Sequence, residues 1–125
     1  MMDQPSMREL VEAVRDFIEQ RAMAELKGHT AFHARVAANA LGIVARELAS
    51  GGPSGEAERE RLKQLLGHDG SLIDLNRELC RSIRDGKIGL ETKGLAEHLT
   101  ITTRDKVAID QPNYSGLKRL LADGG

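Results

Sequence analysis

The segment that most constrains the fold is TAFHARVAANALGIVARELA, residues 30–49. Its apolar residues recur at spacings of three and four, which is the period of an α-helix. At about 100° per residue they cover a wide arc of the helix surface, made of Phe32, Val36, Ala40 and Ile43 on one side and Leu41, Val44 and Leu48 on another. A helix with so wide an apolar arc is expected near the centre of a helical bundle.

Other segments show the same periodicity, separated by turns that contain glycine. The first begins at a capping box formed by Ser6 and Glu9 and extends to about Leu26. The SGGPSG stretch, residues 50–55, is predicted to stop the second helix, because glycine and proline there interrupt the repeat. A short third helix, 56–66, follows and is expected to be weakly anchored, since only Leu62, Leu65 and Leu66 are available for burial.

The last two main helices are predicted over about 71–85 and 95–110. Ser71 with Asp74 caps the earlier one. In the later one, the β-branched residues Ile101, Thr102 and Thr103 favour a strand. A helix is predicted nevertheless, because one helical face is shared by Leu95, Leu99, Lys106 and Ile109. This helix is expected to end before Pro112. The predicted fold class is therefore all-α, an up-and-down bundle of four main helices plus short accessory helices, in a single domain over residues 1–125.

The composition argues against several functional classes. Eighteen Lys and Arg residues balance nineteen Asp and Glu residues, and a nucleic-acid binder usually has a basic excess. The longest apolar stretch is far shorter than the roughly 20 residues that span a bilayer, so no membrane partner is expected. One cysteine and an N-terminus without a signal-peptide pattern predict a cytoplasmic location.

Polar residues interrupt the predicted inward faces of three helices. Arg35 and Asn39 lie on the second, Asn76 on the fourth, and Lys106 and Asp110 on the fifth. One hypothesis is that these five side chains converge on one site, where Arg35 forms an ion pair with Asp110. The site would then be either a polar network that fixes the register of the helices or a ligand site that also includes His33. The alternative is that Arg35 and Lys106 extend their charged ends to the surface.

No motif for catalysis or cofactor binding is found in the sequence. His29 and His33 have the i, i+4 spacing of zinc ligands, but no glutamate lies between them, so no metal site is predicted. Cys80 is predicted to be a small core residue and not a reactive thiol. No cofactor and no catalytic residue are predicted, which favours a non-catalytic protein without deciding the question.

Three stretches, FHARVAANALGIVAREL, LNRELCRSIRDG and DKVAIDQPNYS, resemble in that order a small bacterial all-helical domain family of unknown function. The resemblance covers residues 7–115. The matching motif positions are Phe32, His33, Arg35, Asn39, Asn76, Asp110, Pro112 and Tyr114. The chain departs from the family pattern at TITTRDK, residues 100–106.

Members of that family are often encoded beside acyl-CoA dehydrogenase-like and aminoglycoside-phosphotransferase-like genes. The resemblance therefore implies an accessory module that acts with such a partner enzyme in an acyl-CoA-related or degradative pathway. The alternative function is binding of a small anionic ligand, or catalysis, by the inward polar residues. The sequence leaves the oligomeric state open, a homodimer included.

Overall fold

A computed structural model describes residues 4–124 of the chain, and these residues form helices and turns with no β-strand. The predicted all-α class is confirmed, whereas the up-and-down arrangement of four main helices stays a prediction. The elements are α1 (Met7–Phe17), a π-helical turn (Ile18–Ala22), α2 (Met23–Glu25), α3 (Gly28–Leu66), α4 (Leu72–Arg84), α5 (Leu95–Asp110) and α6 (Ser115–Gly124). No helix in this described range is long and apolar enough to cross a membrane.

The chain divides into two compact units, Met1–Gly51 and Gly52–Gly125. The division falls within α3, which contributes its first half to the N-terminal unit and its second half to the C-terminal unit. That residues 1–125 form one domain stays a prediction.

The N-terminal unit begins with the predicted capping box, which is confirmed. The Glu9 amide donates to the Ser6 hydroxyl oxygen at 3.2 Å, and the Ser6 amide donates to a Glu9 carboxylate oxygen at 2.7 Å. That backbone donor from Ser6 lowers the pKa of Glu9, because it stabilises the ionised carboxylate. Further along, the Arg15 side chain lies over Gly42, where an added Cβ would be 3.2 Å from the guanidinium carbon. Arg15 of α1 therefore lies close to the small residue Gly42 of α3, and Ala38 and Ala45 of the same helix are also buried.

The predicted helix stop at residues 50–55 is wrong, because α3 continues through Pro53 to Leu66. A proline inside a helix costs about 3 kcal/mol, since it lacks an amide hydrogen and its ring crowds the preceding turn. The prediction of weak anchoring for residues 56–66 is also wrong. Leu62 is 0% exposed, and the burial of this leucine helps to offset the cost of the proline.

The core of the C-terminal unit combines leucines of three helices with an isoleucine of a turn. Its buried members are Leu62, Leu75, Leu79, Ile88 and Leu95, with Leu66 and Leu72 packed against them. The predicted cap of α4 is confirmed, because the Asp74 amide donates to the Ser71 hydroxyl at 3.2 Å. α4 thereby starts where its leucines can reach the core.

The helical prediction for residues 95–110 is confirmed, although the predicted inward face is wrong in part. The Thr100 hydroxyl donates to the Ala96 carbonyl at 2.9 Å, so this threonine is satisfied within the helix. Leu99 and Lys106 are exposed, whereas His98 is buried and Thr102 is half-buried. The inward face is rotated toward His98 because another helix supplies polar partners for it.

Candidate functional site

A polar cluster joins α3 to α5 in the C-terminal unit. Arg61, in the last turns of α3, donates from Nε to His98 Nδ1 at 3.2 Å. Its Nη2 atom donates to the Thr102 hydroxyl oxygen at 3.1 Å. His98 and Thr102 are four residues apart on α5, so one guanidinium reaches both side chains on the same helical face. We call Arg61, His98 and Thr102 the arginine–histidine cluster.

The histidine of this cluster is only 2% exposed. Its burial, followed by the nearby positive charge of Arg61, lowers the pKa of His98; Lys106 acts in the same direction, while Glu58 opposes them. A neutral ring that accepts a hydrogen bond at Nδ1 carries its proton on Nε2. His98 is thus a neutral imidazole that accepts from Arg61 and retains one N–H donor.

A second polar contact joins α3 to α4. Glu58 is buried, with 8% of its surface exposed, and accepts a hydrogen bond from the Asn76 side-chain amide at 3.1 Å. Asn76 was predicted to face inward, and the structure places it half-buried beside this carboxylate. Glu58 therefore has a partner for its buried charge, as a carboxylate removed from water requires.

Ion pairs and hydrogen bonds stabilise the turn between α3 and α4. Arg59 donates to the Gly70 carbonyl at 2.9 Å and to the Asp69 carboxylate at 2.6 Å. The Gly70 amide donates to Asp69 as well, and it is the main reason that the pKa of Asp69 is lowered. His68 lies 2.7 Å from a carboxylate oxygen of Glu78, whose hydrogen bond raises the pKa of His68. These exposed pairs hold the local turn geometry.

A pocket of about 340 Å³ opens beside the arginine–histidine cluster. Arg61 and His98 form part of its wall, together with Lys93 and Gly94 at the start of α5. The remaining wall residues are Gln64, Leu65 and Glu97. Two basic side chains, one acidic side chain and a neutral imidazole therefore line one small space. Residues 4–124 contain no group of three or more His, Cys, Asp or Glu side chains suited to hold a metal ion.

The N-terminal unit carries a different feature, a run of large apolar side chains on its surface. Eight of them are between 40% and 62% exposed. α1 contributes Met7, Leu10, Val14 and Phe17, and the first half of α3 contributes Phe32, Val36, Val44 and Leu48. We call these eight residues the N-terminal apolar surface.

The site residues predicted from sequence are divided between the two units. His33, Arg35 and Asn39 are exposed in the N-terminal unit, where the His33 ring packs edge-on against Phe32 at 5.5 Å between centroids. In the C-terminal unit, Lys106 and Asp110 are exposed and Asn76 contacts Glu58. Convergence of this set, with the Arg35–Asp110 pair, requires contact between the units and stays a prediction.

Sequence reasoning missed Glu58, Arg61 and His98 as buried or half-buried polar groups. One signal was available: His98 lies three residues after Leu95 and four before Thr102, on the face that α5 buries. The glycine-based helix stop obscured Arg61, because it reduced the end of α3 to a short and weakly held segment.

The sequence pattern of one protein family, "Domain of unknown function (DUF6285)", matches residues 24–114. This chain belongs to the DUF6285 family. The matched region of the DUF6285 domain includes the arginine–histidine cluster and its pocket, whereas α1 precedes it. No curated protein and no solved structure matches the chain.

Proposed function

We propose that this DUF6285 protein is a non-catalytic helical module that docks onto a partner enzyme. The single observation that supports the proposal is the N-terminal apolar surface. Its four α1 residues, Met7, Leu10, Val14 and Phe17, follow spacings of three and four and therefore form one stripe along the helix. On α3, Phe32 and Val36 lie on one side of the helix, and Val44 and Leu48 lie on another.

The size of this surface supports a docking role. Eight large apolar residues that are about half exposed together present on the order of 600 Å² of apolar surface. Each partner of a standard protein–protein interface buries roughly 800 Å². Among the described residues of this unit the buried ones are all small, Ala38, Gly42 and Ala45, which leaves its large apolar side chains available to a partner.

The partner we propose is an enzyme that presents an apolar helical face. The apolar stripe of α1 suits a helix laid along it better than a polar or charged segment. The resemblance noted for the sequence suggests the class of enzyme: acyl-CoA dehydrogenase-like or phosphotransferase-like, in an acyl-CoA-related or degradative pathway. Because the sequence contains no motif for catalysis or cofactor binding, we propose that the module acts by binding and not by catalysis.

The proposal is tested by co-expression with those two classes of enzyme encoded in the same genome. We expect the protein to co-elute with one of them, and the double change Val14→Glu with Val36→Glu to abolish co-elution, because two charges would be buried in the interface. Ile73→Glu with Leu90→Glu is the matched control, an equal change at two exposed sites of the C-terminal unit.

Two outcomes would contradict this proposal. One is the absence of any complex or change in enzyme activity with the wild-type protein. The other is a wild-type homodimer in solution that the double change converts to a monomer, which would assign the N-terminal apolar surface to a second copy of the chain.

The rival hypothesis assigns an anionic ligand to Arg35, Asn39, Asn76, Lys106, Asp110 and His33. It predicts that an acyl-CoA or sugar phosphate raises the melting temperature of the wild-type protein, and raises it less after Arg35→Ala or Lys106→Ala. At a ligand concentration 100 times Kd, the stabilisation would be about 2.7 kcal/mol. An equal rise in wild type and both variants would reject these residues as the site.

A further inference from the structure

We infer that the pocket beside the arginine–histidine cluster binds the oxyanion group of a small molecule, a carboxylate or a phosphate. The inference concerns the C-terminal unit alone and does not depend on the proposed docking function. It is supported by the charge state of Arg61, by the backbone at the start of α5 and by the size and lining of the pocket.

Arg61 is a half-buried cation whose protein partners are both neutral. Its guanidinium has five N–H donors, and the bonds to His98 and Thr102 use two of them. Within residues 4–124, no carboxylate oxygen lies within 4 Å of it. Arg59, two residues earlier, is by contrast bonded to both Glu56 and Asp69. Arg61 is therefore held in a fixed position with charge and donors left for a ligand.

The start of α5 adds backbone donors to the same pocket. Gly94 precedes the helix with a φ of +90° and provides no side-chain cap. The Leu95 amide donates to the Thr92 carbonyl and the His98 amide to the Gly94 carbonyl, whereas the Ala96 and Glu97 amides have no backbone acceptor among residues 4–124. Lys93 and Gly94 both line the pocket, so an anion there would meet a cation and the positive end of a 16-residue helix.

The remaining wall residues limit what kind of anion fits. The His98 ring keeps its N–H on Nε2 and so offers a donor rather than a negative charge. Leu65 gives the pocket an apolar wall, and about 340 Å³ accommodates a ligand of modest size. Glu97 is the one opposing charge, and it should weaken anion binding until it is neutralised.

The test uses backbone amide NMR of the full-length protein, with sodium butyrate and sodium phosphate as probes at constant ionic strength. We expect saturable shifts centred on residues 93–98 for at least one probe. Lys93→Gln should raise Kd about two- to fivefold, as the loss of one partly exposed charge predicts. Glu97→Gln should lower Kd by a similar factor, because it removes the opposing carboxylate.

Lys118→Gln, which removes an exposed lysine on α6, is the control with the same change in net charge. Tighter binding of butyrate would assign a carboxylate ligand, and tighter binding of phosphate would assign a phosphate. The inference is overturned if sodium chloride produces the same shifts, or if Lys93→Gln and Lys118→Gln change Kd equally. Since neither Lys93 nor Glu97 belongs to the buried core, the outcome does not depend on a variant that fails to fold.

Discussion

Replacement of Leu62 by alanine is expected to lower the free energy of unfolding of the C-terminal unit by about 2–5 kcal/mol. Leu62 has no exposed surface and belongs to the core with Leu75, Leu79 and Leu95. Truncation removes buried methyl groups and leaves a cavity that the surrounding helices fill only in part. Urea denaturation followed by circular dichroism measures the loss.

Leu90→Ala is the matched control for this experiment. The same chemical change is made in the turn before α5, at a leucine that is 93% exposed, so the expected loss is below about 0.5 kcal/mol. A similar loss in the two variants would contradict the core described above, as would a Leu62→Ala protein as stable as wild type.

Replacement of Arg61 by alanine is expected to lower the free energy of unfolding by about 1–3 kcal/mol at pH 8. The change leaves His98 Nδ1 and the Thr102 hydroxyl without their donor, and His98 is buried, so water replaces the lost bond poorly. Arg119→Ala, which removes an exposed arginine on α6, should change stability little.

The cost of Arg61→Ala should also depend on pH. The pKa of His98 is lowered in the folded protein, so below about pH 6.5 the unfolded chain binds more protons, and stability falls as pH falls. Without the positive charge of Arg61, His98 is protonated more easily in the folded state and this fall is shallower. The difference in stability between wild type and Arg61→Ala is therefore expected to be smaller at pH 5.5 than at pH 8.

Measurement of both proteins at the two pH values checks this expectation. Acid effects on other groups act on both proteins and cancel in the difference. A difference that is constant or grows toward pH 5.5 would contradict the proximity of Arg61 to the His98 ring.

Local signals predicted several helix boundaries correctly. The Ser6–Glu9 capping box and the Ser71 cap were readable because each involves groups only three residues apart. α5 was readable as well, because its helical apolar spacing outweighed the strand preference of Ile101 and the adjacent threonines. The predicted end of the second helix at residues 50–55 was wrong. Glycine and proline lower the local helix propensity there, but the helix also gains stability from the burial of Leu62 further along, which the local sequence does not indicate.

The sequence by itself determined the all-α class and the capped starts of α1 and α4. Those features follow from hydrogen bonds and periodicity over a few residues. Only the tertiary structure decided which polar side chains turn inward, because the bonds of Arg61 to His98 and Thr102 join residues 37 and 41 positions apart. A buried imidazole needs a hydrogen-bond partner, and the partner of His98 lies 37 residues away in the sequence. No local sequence pattern specifies a contact over that distance.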